Sequence, residues 1–215
     1  ISVHTLRRAI PEFQYAVPGD PSSAAYWVAA GLLLPKSRLH LRNMSLNPTR
    51  IAFIKLLKAS GARIDVVQKH KSLEPSGDII VRTSALQHFH IRSKQVPGLI
   101  DELPLLALIA TQAKGKTVIR GAKELRYKES DRIASTVEML RSMGAEVEEF
   151  EDGLDIIGGT TLLGGEINAH GDHRIAMTAS IAGLITRTPV RVRGYSTVDI
   201  SYPDFYSILE RISKT

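Results

Sequence analysis

The side chains best suited to chemistry are concentrated in residues 124–133, which read Glu-Leu-Arg-Tyr-Lys-Glu-Ser-Asp-Arg-Ile. Apolar residues recur at helical spacing behind this run and stop at Gly144, so the run lies at the start of a predicted amphipathic helix, Ser130–Met143. A helix N-terminus offers free N–H groups and the positive end of the helix dipole, which favour a phosphate or a carboxylate. We therefore expect Lys128 and Arg132, one turn apart on the same helix face, to complete an anion site.

Glu129 is the unusual member of this group. A carboxylate beside an anion site is unfavourable unless it pairs with the cations or carries a proton in a reaction. The alternative is a solvent-exposed helix start, in which the charged side chains only pair with one another. Residue types within the run do not decide between these two interpretations.

A second segment with reactive groups is Asp101–Pro104, which reads Asp-Glu-Leu-Pro at the start of a strongly apolar predicted helix. Asp101 is a candidate proton acceptor. It could equally be a helix cap, because Asp20 and Asp172 occupy the equivalent places before two other apolar helices. The two roles are compatible, since a capping carboxylate is held rigidly.

A third segment, Gly171–Met177, reads Gly-Asp-His-Arg-Ile-Ala-Met and precedes another apolar helix. His173 and Arg174 could do no more than cover this helix start with charge, and histidine is often a hydrogen-bonded structural residue. If the three helix starts point the same way, however, Asp101, Lys128, Arg132 and Arg174 meet on one surface. Such a surface would be suited to small anionic ligands.

Composition narrows the class of protein. The 215 residues are 43% hydrophobic and 23% charged, which is ordinary for a globular chain with a sizeable core. The longest apolar runs are too short to span a bilayer, so we expect no membrane partner. The absence of cysteine excludes disulfides and zinc–thiolate sites and is compatible with a cytoplasmic location. The net charge of +6 indicates acidic partners, but basic residues are scattered and aromatics are only 6%, which favours small anions over nucleic acid.

The predicted elements recur in one order: an apolar helix, a strand, an amphipathic helix and a pair of strands. The apolar helices are predicted at Ala24–Leu34, Leu103–Ala113 and Ile175–Ile185. The repeats span about residues 16–91, 92–161 and 162–215, and the last is incomplete because no strand pair follows its amphipathic helix. We predict a mixed α/β (α+β) fold of βαβαββ-type units arranged around three buried helices.

The three charged segments, residues 101–104, 124–133 and 171–177, together resemble the motifs of 5-enolpyruvylshikimate-3-phosphate synthases. These are the enolpyruvyl transferases of the shikimate pathway in aromatic amino acid biosynthesis and the target of glyphosate. The resemblance extends from about Val17 to Ile212. It implies one lobe of an inside-out α/β barrel, corresponding to the C-terminal half of the family, with residues 1–15 as the end of a missing partner lobe. It also implies transfer of the enolpyruvyl group of phosphoenolpyruvate to shikimate 3-phosphate, without a cofactor or a metal.

By this resemblance, Asp101 and Glu129 are the catalytic acid–base residues. Asp101 and Lys128 are implied to bind shikimate 3-phosphate. Arg132 and Arg174 are implied to bind phosphoenolpyruvate, because paired guanidinium N–H groups suit its carboxylate and phosphate.

The resemblance gives His173 a supporting place beside the second arginine. One departure from the family lies in Thr197–Pro203, where many members have a lysine and this chain has none. Whether a residue near Ile200 or Ser201 replaces it is open.

Two other functions remain compatible with the sequence. One is a transferase of the UDP-N-acetylglucosamine type with the same architecture. The other is a non-catalytic module that keeps the fold and binds phosphate or nucleic acid. A 215-residue chain that lacks the partner lobe is expected to be inactive alone.

Overall fold

The computed structural model describes Ser2, His4, Glu12, residues 14–70 and residues 74–213. Most of residues 1–15, which the resemblance assigns to the end of a partner lobe, lie outside the described residues. The α-helices are α1 Pro21–Leu33, α2 Ala52–Ala59, α3 Leu103–Gln112, α4 Arg132–Ser142, α5 His173–Ala182 and α6 Phe205–Ser213. The strands are β1 Arg38–Ser45, β2 Arg63–His70, β3 Ser76–Arg82, β4 His90–Ile91, β5 Lys116–Ile119, β6 Glu146–Phe150, β7 Gly153–Ile157, β8 Gly165–Asn168 and β9 Val190–Arg193.

The core is formed by α1, α3 and α5, which contact one another. These are the three helices predicted to be apolar, and most of their residues are buried, including every residue from Leu103 to Thr111 of α3. A helix that is apolar on all sides is stable only when neighbours cover all of it. The predicted interior position of the three helices is confirmed.

Three separate sheets lie around the core helices, and the described residues contain no single closed barrel of strands. The strand orders are β1-β3-β2, β4-β5-β7-β6 and β8-β9. Helix α1 packs on β1 and β3, α3 on β7, and α5 on β9. The order helix, strand, helix and two strands occurs from α1 to β3 and again from α3 to β7. The exact boundaries of the three repeats remain a prediction.

The ends of the core helices follow the predicted caps in two cases. The Asp20 side chain accepts a hydrogen bond from the Ser23 amide at 2.8 Å, and the Asp172 side chain accepts one from the Arg174 amide at 2.8 Å. Helix α4 begins two residues later than predicted, at Arg132. Its cap is the Asp131 carboxylate, which accepts a hydrogen bond from the Ala134 amide.

Gly144 ends α4 with a left-handed backbone, φ 85°. A Cβ at this position would meet no atom within 4 Å, so the cost of a side chain there comes from the backbone alone. We predict that Gly144→Ala lowers the free energy of unfolding by about 1–2 kcal/mol, measured by urea denaturation. Gly98→Ala is the control, because its φ is not left-handed and its Cβ would make only ordinary contacts. Equal losses in both variants would contradict the backbone explanation.

Candidate active site

The N-terminal ends of α3, α4 and α5 meet and bring most of the predicted residues together. We use the name charged cluster for five side chains on these ends and on the segment before α4: Asp101, Glu129, Arg132, Asp172 and Arg174. Two ion pairs show the convergence directly. Arg132 Nε, on α4, lies 2.7 Å from Asp172 Oδ2 at the start of α5, and Arg174 Nη2, on α5, lies 3.2 Å from Asp101 Oδ2 ahead of α3.

Arg132 is the centre of the charged cluster. Its side chain is only 1% exposed, and it contacts three carboxylates. Besides Asp172, its Nη2 lies 2.5 Å from Glu129 Oε2 and its Nη1 lies 3.4 Å from Asp101 Oδ1. The interpretation of this run as a solvated helix start is therefore wrong for Arg132, whose guanidinium is a buried donor.

Asp172 holds this arginine in place. The carboxylate is fully buried and also accepts hydrogen bonds from the Ser130 hydroxyl at 3.1 Å and the Arg174 amide at 2.8 Å. Burial alone would raise the pKa of Asp172, but the hydrogen bonds and the charge of Arg132 outweigh burial and lower it. The sequence predicted only a capping role for Asp172. Its position before a His-Arg pair does not indicate a contact with Arg132, which lies 40 residues away in the chain.

Asp101 does not cap α3. The cap position belongs to Glu102, whose side chain makes no capping hydrogen bond. The Asp101 carboxylate instead contacts the two arginines of the cluster. Arg174 contacts Asp101 twice: besides the ion pair, its Nη1 donates to the Asp101 backbone oxygen at 3.1 Å. Arg174 also lies beside the buried Tyr26, and the two side chains line the same small cavity. The predicted capping role of Asp101 is wrong.

Lys128 is placed differently from the prediction. It follows a 3-10 helix, Lys123–Tyr127, and has an extended backbone with φ −86° and ψ −159°. Since α4 begins only at Arg132, the two cations cannot lie one turn apart on one helix face, and that prediction is wrong. The Lys128 Nζ pairs with Glu124 Oε1 at 3.0 Å.

His173 is the first residue of α5 and lies partly buried beside the cluster. Burial, followed by the charge of Arg174, lowers the pKa of His173 below the ordinary histidine value. The imidazole is therefore neutral at neutral pH, where it can offer one donor and one acceptor to a ligand.

Within the cluster, Arg132 and Arg174 face three carboxylates, while Lys128 pairs with Glu124 outside it. Asp101 and Glu129 are the members that reach solvent, with side chains 42% and 49% exposed. They are suited to exchange protons with a bound molecule, whereas the two arginines offer oriented, largely desolvated N–H groups behind them. An anion that binds the guanidinium groups would replace one of these two carboxylates.

A small cavity of about 110 Å³ adjoins the cluster between the starts of α1 and α5. Its walls include Ser22, Tyr26, Arg174 and Ser201. Ser201 belongs to the segment where the family lysine is missing, while the neighbouring Ile200 is 88% exposed. A larger groove, of about 1100 Å³, runs along β9 and α6 and contains no member of the cluster.

Among the described residues, no three histidine, aspartate or glutamate side chains form a group that could hold a metal ion. The same part of the chain has no helix long and apolar enough to cross a membrane.

Solved structures place the fold in the enolpyruvyl transferase class. The enolpyruvyl transferase NikO from Streptomyces tendae superposes with a TM-score of 0.68 at 19% identity, over 90% of this chain and 43% of that one, which supports the fold alone. An EPSP synthase from Acinetobacter baumannii superposes with a TM-score of 0.86 at 39% identity, over 91% of this chain and 46% of that one. The predicted fold class is confirmed.

The family model for EPSP synthase (3-phosphoshikimate 1-carboxyvinyltransferase) matches residues 1–209. The chain belongs to this family, as the sequence motifs predicted. Proteins named 3-phosphoshikimate 1-carboxyvinyltransferase are 48% identical in Roseiflexus castenholzii, over 95% of this chain, and 46% identical in Bacillus subtilis, over 92%. The chain spans about half the length of these relatives, 48% and 47% respectively.

Proposed function

We propose that the chain is the C-terminal lobe of a 3-phosphoshikimate 1-carboxyvinyltransferase. The reaction transfers the enolpyruvyl group of phosphoenolpyruvate to the 5-hydroxyl of shikimate 3-phosphate and releases phosphate. The observation that carries this proposal is the charged cluster, in which the buried Arg132 and the partly buried Arg174 lie beside two carboxylates that reach solvent. We place the enzyme in the cytoplasm, with a partner lobe closing the site.

In the proposed reaction, Asp101 takes the proton of the 5-hydroxyl. At the same time the hydroxyl oxygen forms a bond to the central carbon of phosphoenolpyruvate. Glu129 donates a proton to the methylene carbon, which gives a tetrahedral intermediate. The same carboxylate then removes a proton from the new methyl group, the double bond reforms, and the C–O bond to phosphate breaks. One proton and one phosphate leave for each acceptor hydroxyl consumed, so the atoms balance.

Arg132 and Arg174 bind the carboxylate and phosphate of phosphoenolpyruvate in this proposal. Each charge-assisted hydrogen bond contributes roughly 1.5–3 kcal/mol. Lys128 binds shikimate 3-phosphate and leaves its pair with Glu124 to do so. The neutral His173 supports the phosphoenolpyruvate site as a hydrogen-bonding group.

The proposal is tested by assembling the chain with the lobe that completes the family's length. We expect negligible phosphate release from the two substrates by the chain alone, because the cleft needs both lobes to exclude water. Addition of the partner lobe should restore enolpyruvyl transfer. Robust turnover by the 215-residue chain alone, or none by a folded, associated pair of lobes, would contradict the assignment.

The same assay separates the other two functions. Transfer to UDP-N-acetylglucosamine in place of shikimate 3-phosphate would identify the sibling transferase. Binding to random oligonucleotides with a steep salt dependence, and none to either substrate, would identify a non-catalytic module.

A further inference from the structure

Glu102 is a buried acid to which the proposed reaction assigns no part. It stands at the start of α3, is 5% exposed, and its carboxyl group lies close to Ser22 of α1. Its Oε1 atom has no hydrogen-bond partner within the described residues. A buried carboxylate with an unpaired oxygen is costly, so its protonation state and its neighbours need an explanation.

Charged and titratable groups approach Glu102 from each element packed around it. They are Asp101 from its own segment, Arg174 from α5, Tyr26 from α1 and Arg50 from the loop before α2. Arg50 also donates to the Ser22 hydroxyl at 3.3 Å and pairs with Asp20 at 2.7 Å, so part of its charge is already compensated. Arg174 is already paired with Asp101.

These neighbours do not offset the cost of burying a charge. Burial, the largest cause, raises the pKa of Glu102, and the adjacent Asp101 carboxylate raises it further, while Ser22, Arg174 and Arg50 oppose the change. The buried side chain and its unpaired oxygen point to the same protonation state as the pKa shift: an uncharged carboxylic acid.

We propose that Glu102 is a positioning residue that stays uncharged and thereby leaves the charge of Arg174 to Asp101 and to a bound anion. The reason lies at Arg174, whose guanidinium already pairs with Asp101. An ionised Glu102 would compete with Asp101 and with the bound anion for this guanidinium, and would add negative charge next to the anion site. The identity of the anion, phosphoenolpyruvate, rests on the proposed function.

The inference is tested by nuclear magnetic resonance on the 215-residue chain, with ¹³C-labelled glutamate carboxyl groups. The Glu102 signal is assigned as the one that disappears in Glu102→Gln. We expect the Glu102 signal to titrate above the ordinary glutamate range, and we follow the signal of the 62% exposed Glu138 in the same sample as the reference. A Glu102 signal that titrates together with the exposed glutamates would overturn the inference.

The second measurement follows the Arg174 Nε–H signal as phosphoenolpyruvate is added at several pH values. Phosphoenolpyruvate affinity should fall on the order of tenfold as Glu102 ionises, since a unit charge is added close to the anion. Glu102→Gln keeps the shape and the neutral state, so its affinity should stay level over the same pH range, while Glu138→Gln should behave as wild type. A fall in affinity that persists in Glu102→Gln, or no binding of phosphoenolpyruvate at any pH, would overturn the inference.

A third readout is stability. The pKa of Glu102 is higher in the folded chain than in the unfolded chain, so unfolding releases a proton. The stabilisation from the neutral acid is complete below the ordinary glutamate range and is lost as pH rises towards the folded pKa. Glu102→Gln should lack this loss, so the free energy of unfolding of the variant should gain on wild type as pH rises.

Failure of the proposed function gives a different pattern. In that case the assembled lobes form no enolpyruvyl product, although Arg174 still binds the anion and the pKa of Glu102 is still raised. Conversely, the assembled enzyme could be active while its phosphoenolpyruvate affinity depends on pH in the same way in wild type and Glu102→Gln. That result would support the proposed function and contradict the role of Glu102.

Discussion

Replacing Glu129 by glutamine should lower turnover on the order of 10²–10⁴-fold in the enzyme assembled from both lobes, with substrate affinities little changed. Glutamine keeps the size and hydrogen-bonding capacity of the side chain but cannot accept and return a proton. The Glu129 carboxylate is half exposed and lies 2.5 Å from Arg132 Nη2, so it is held at the mouth of the site by a buried cation. Steady-state kinetics with both substrates separates the loss of turnover from any change in binding.

Two variants serve as controls for Glu129→Gln. Glu138→Gln makes the same chemical change on an exposed part of α4 and should leave turnover unchanged. Lys128→Ala should instead weaken the apparent affinity for shikimate 3-phosphate. Near-wild-type turnover in Glu129→Gln would sink the acid–base assignment, even though membership of the family would stand.

The core of the fold could be predicted from local pattern. Helix α3 is apolar on every side, and a helix of that kind has no stable place except the interior. Strands β2 and β3, which pair antiparallel, are rich in β-branched residues, and this composition indicates strands. In both cases the information lies within a short run of neighbouring residues, which is why the sequence was sufficient.

The interior of the site could not be predicted in the same way. The Lys128 error arose because helical spacing was assumed back to residue 128, whereas Lys128 has an extended backbone and follows the 3-10 helix Lys123–Tyr127. The Asp172–Arg132 pair joins residues 40 positions apart, and the burial of Glu102 depends on α1 packing over α3. Such contacts follow from the meeting of three helix starts, and no periodicity within one segment encodes them.

The charged cluster also explains why a family motif rich in charge can start a buried helix. Arg132 is the first residue of α4 and is enclosed, which is costly for an unpaired cation. The cost is reduced by Asp172, while Asp101 and Glu129 complete the guanidinium contacts from the solvent side. The inner carboxylate thus sets the position of the arginine, and the two outer carboxylates remain free to exchange places with a ligand.

Removing the inner carboxylate should therefore be the most destabilising change at the site. We expect Asp172→Ala to lower the free energy of unfolding by about 3–5 kcal/mol, because Arg132 then remains buried without its closest counter-ion and α5 loses its cap. Denaturation by urea measures the effect. Asp131→Ala is the matched control: it removes the cap of α4, but its side chain is 39% exposed, so the expected loss is about 0.5–2 kcal/mol.

A double-mutant cycle separates the contribution of the Arg132–Asp172 ion pair from the contribution of the Asp172 cap of α5. Arg132→Leu combined with Asp172→Ala removes both charges, so the double variant should lose less stability than the sum of the two single changes. Asp172→Asn keeps an oxygen to cap α5 and should fall between wild type and Asp172→Ala. If Asp172→Ala costs no more than Asp131→Ala, or if the two single changes simply add, the buried carboxylate does not hold Arg132. The separation of inner and outer carboxylates would then be wrong.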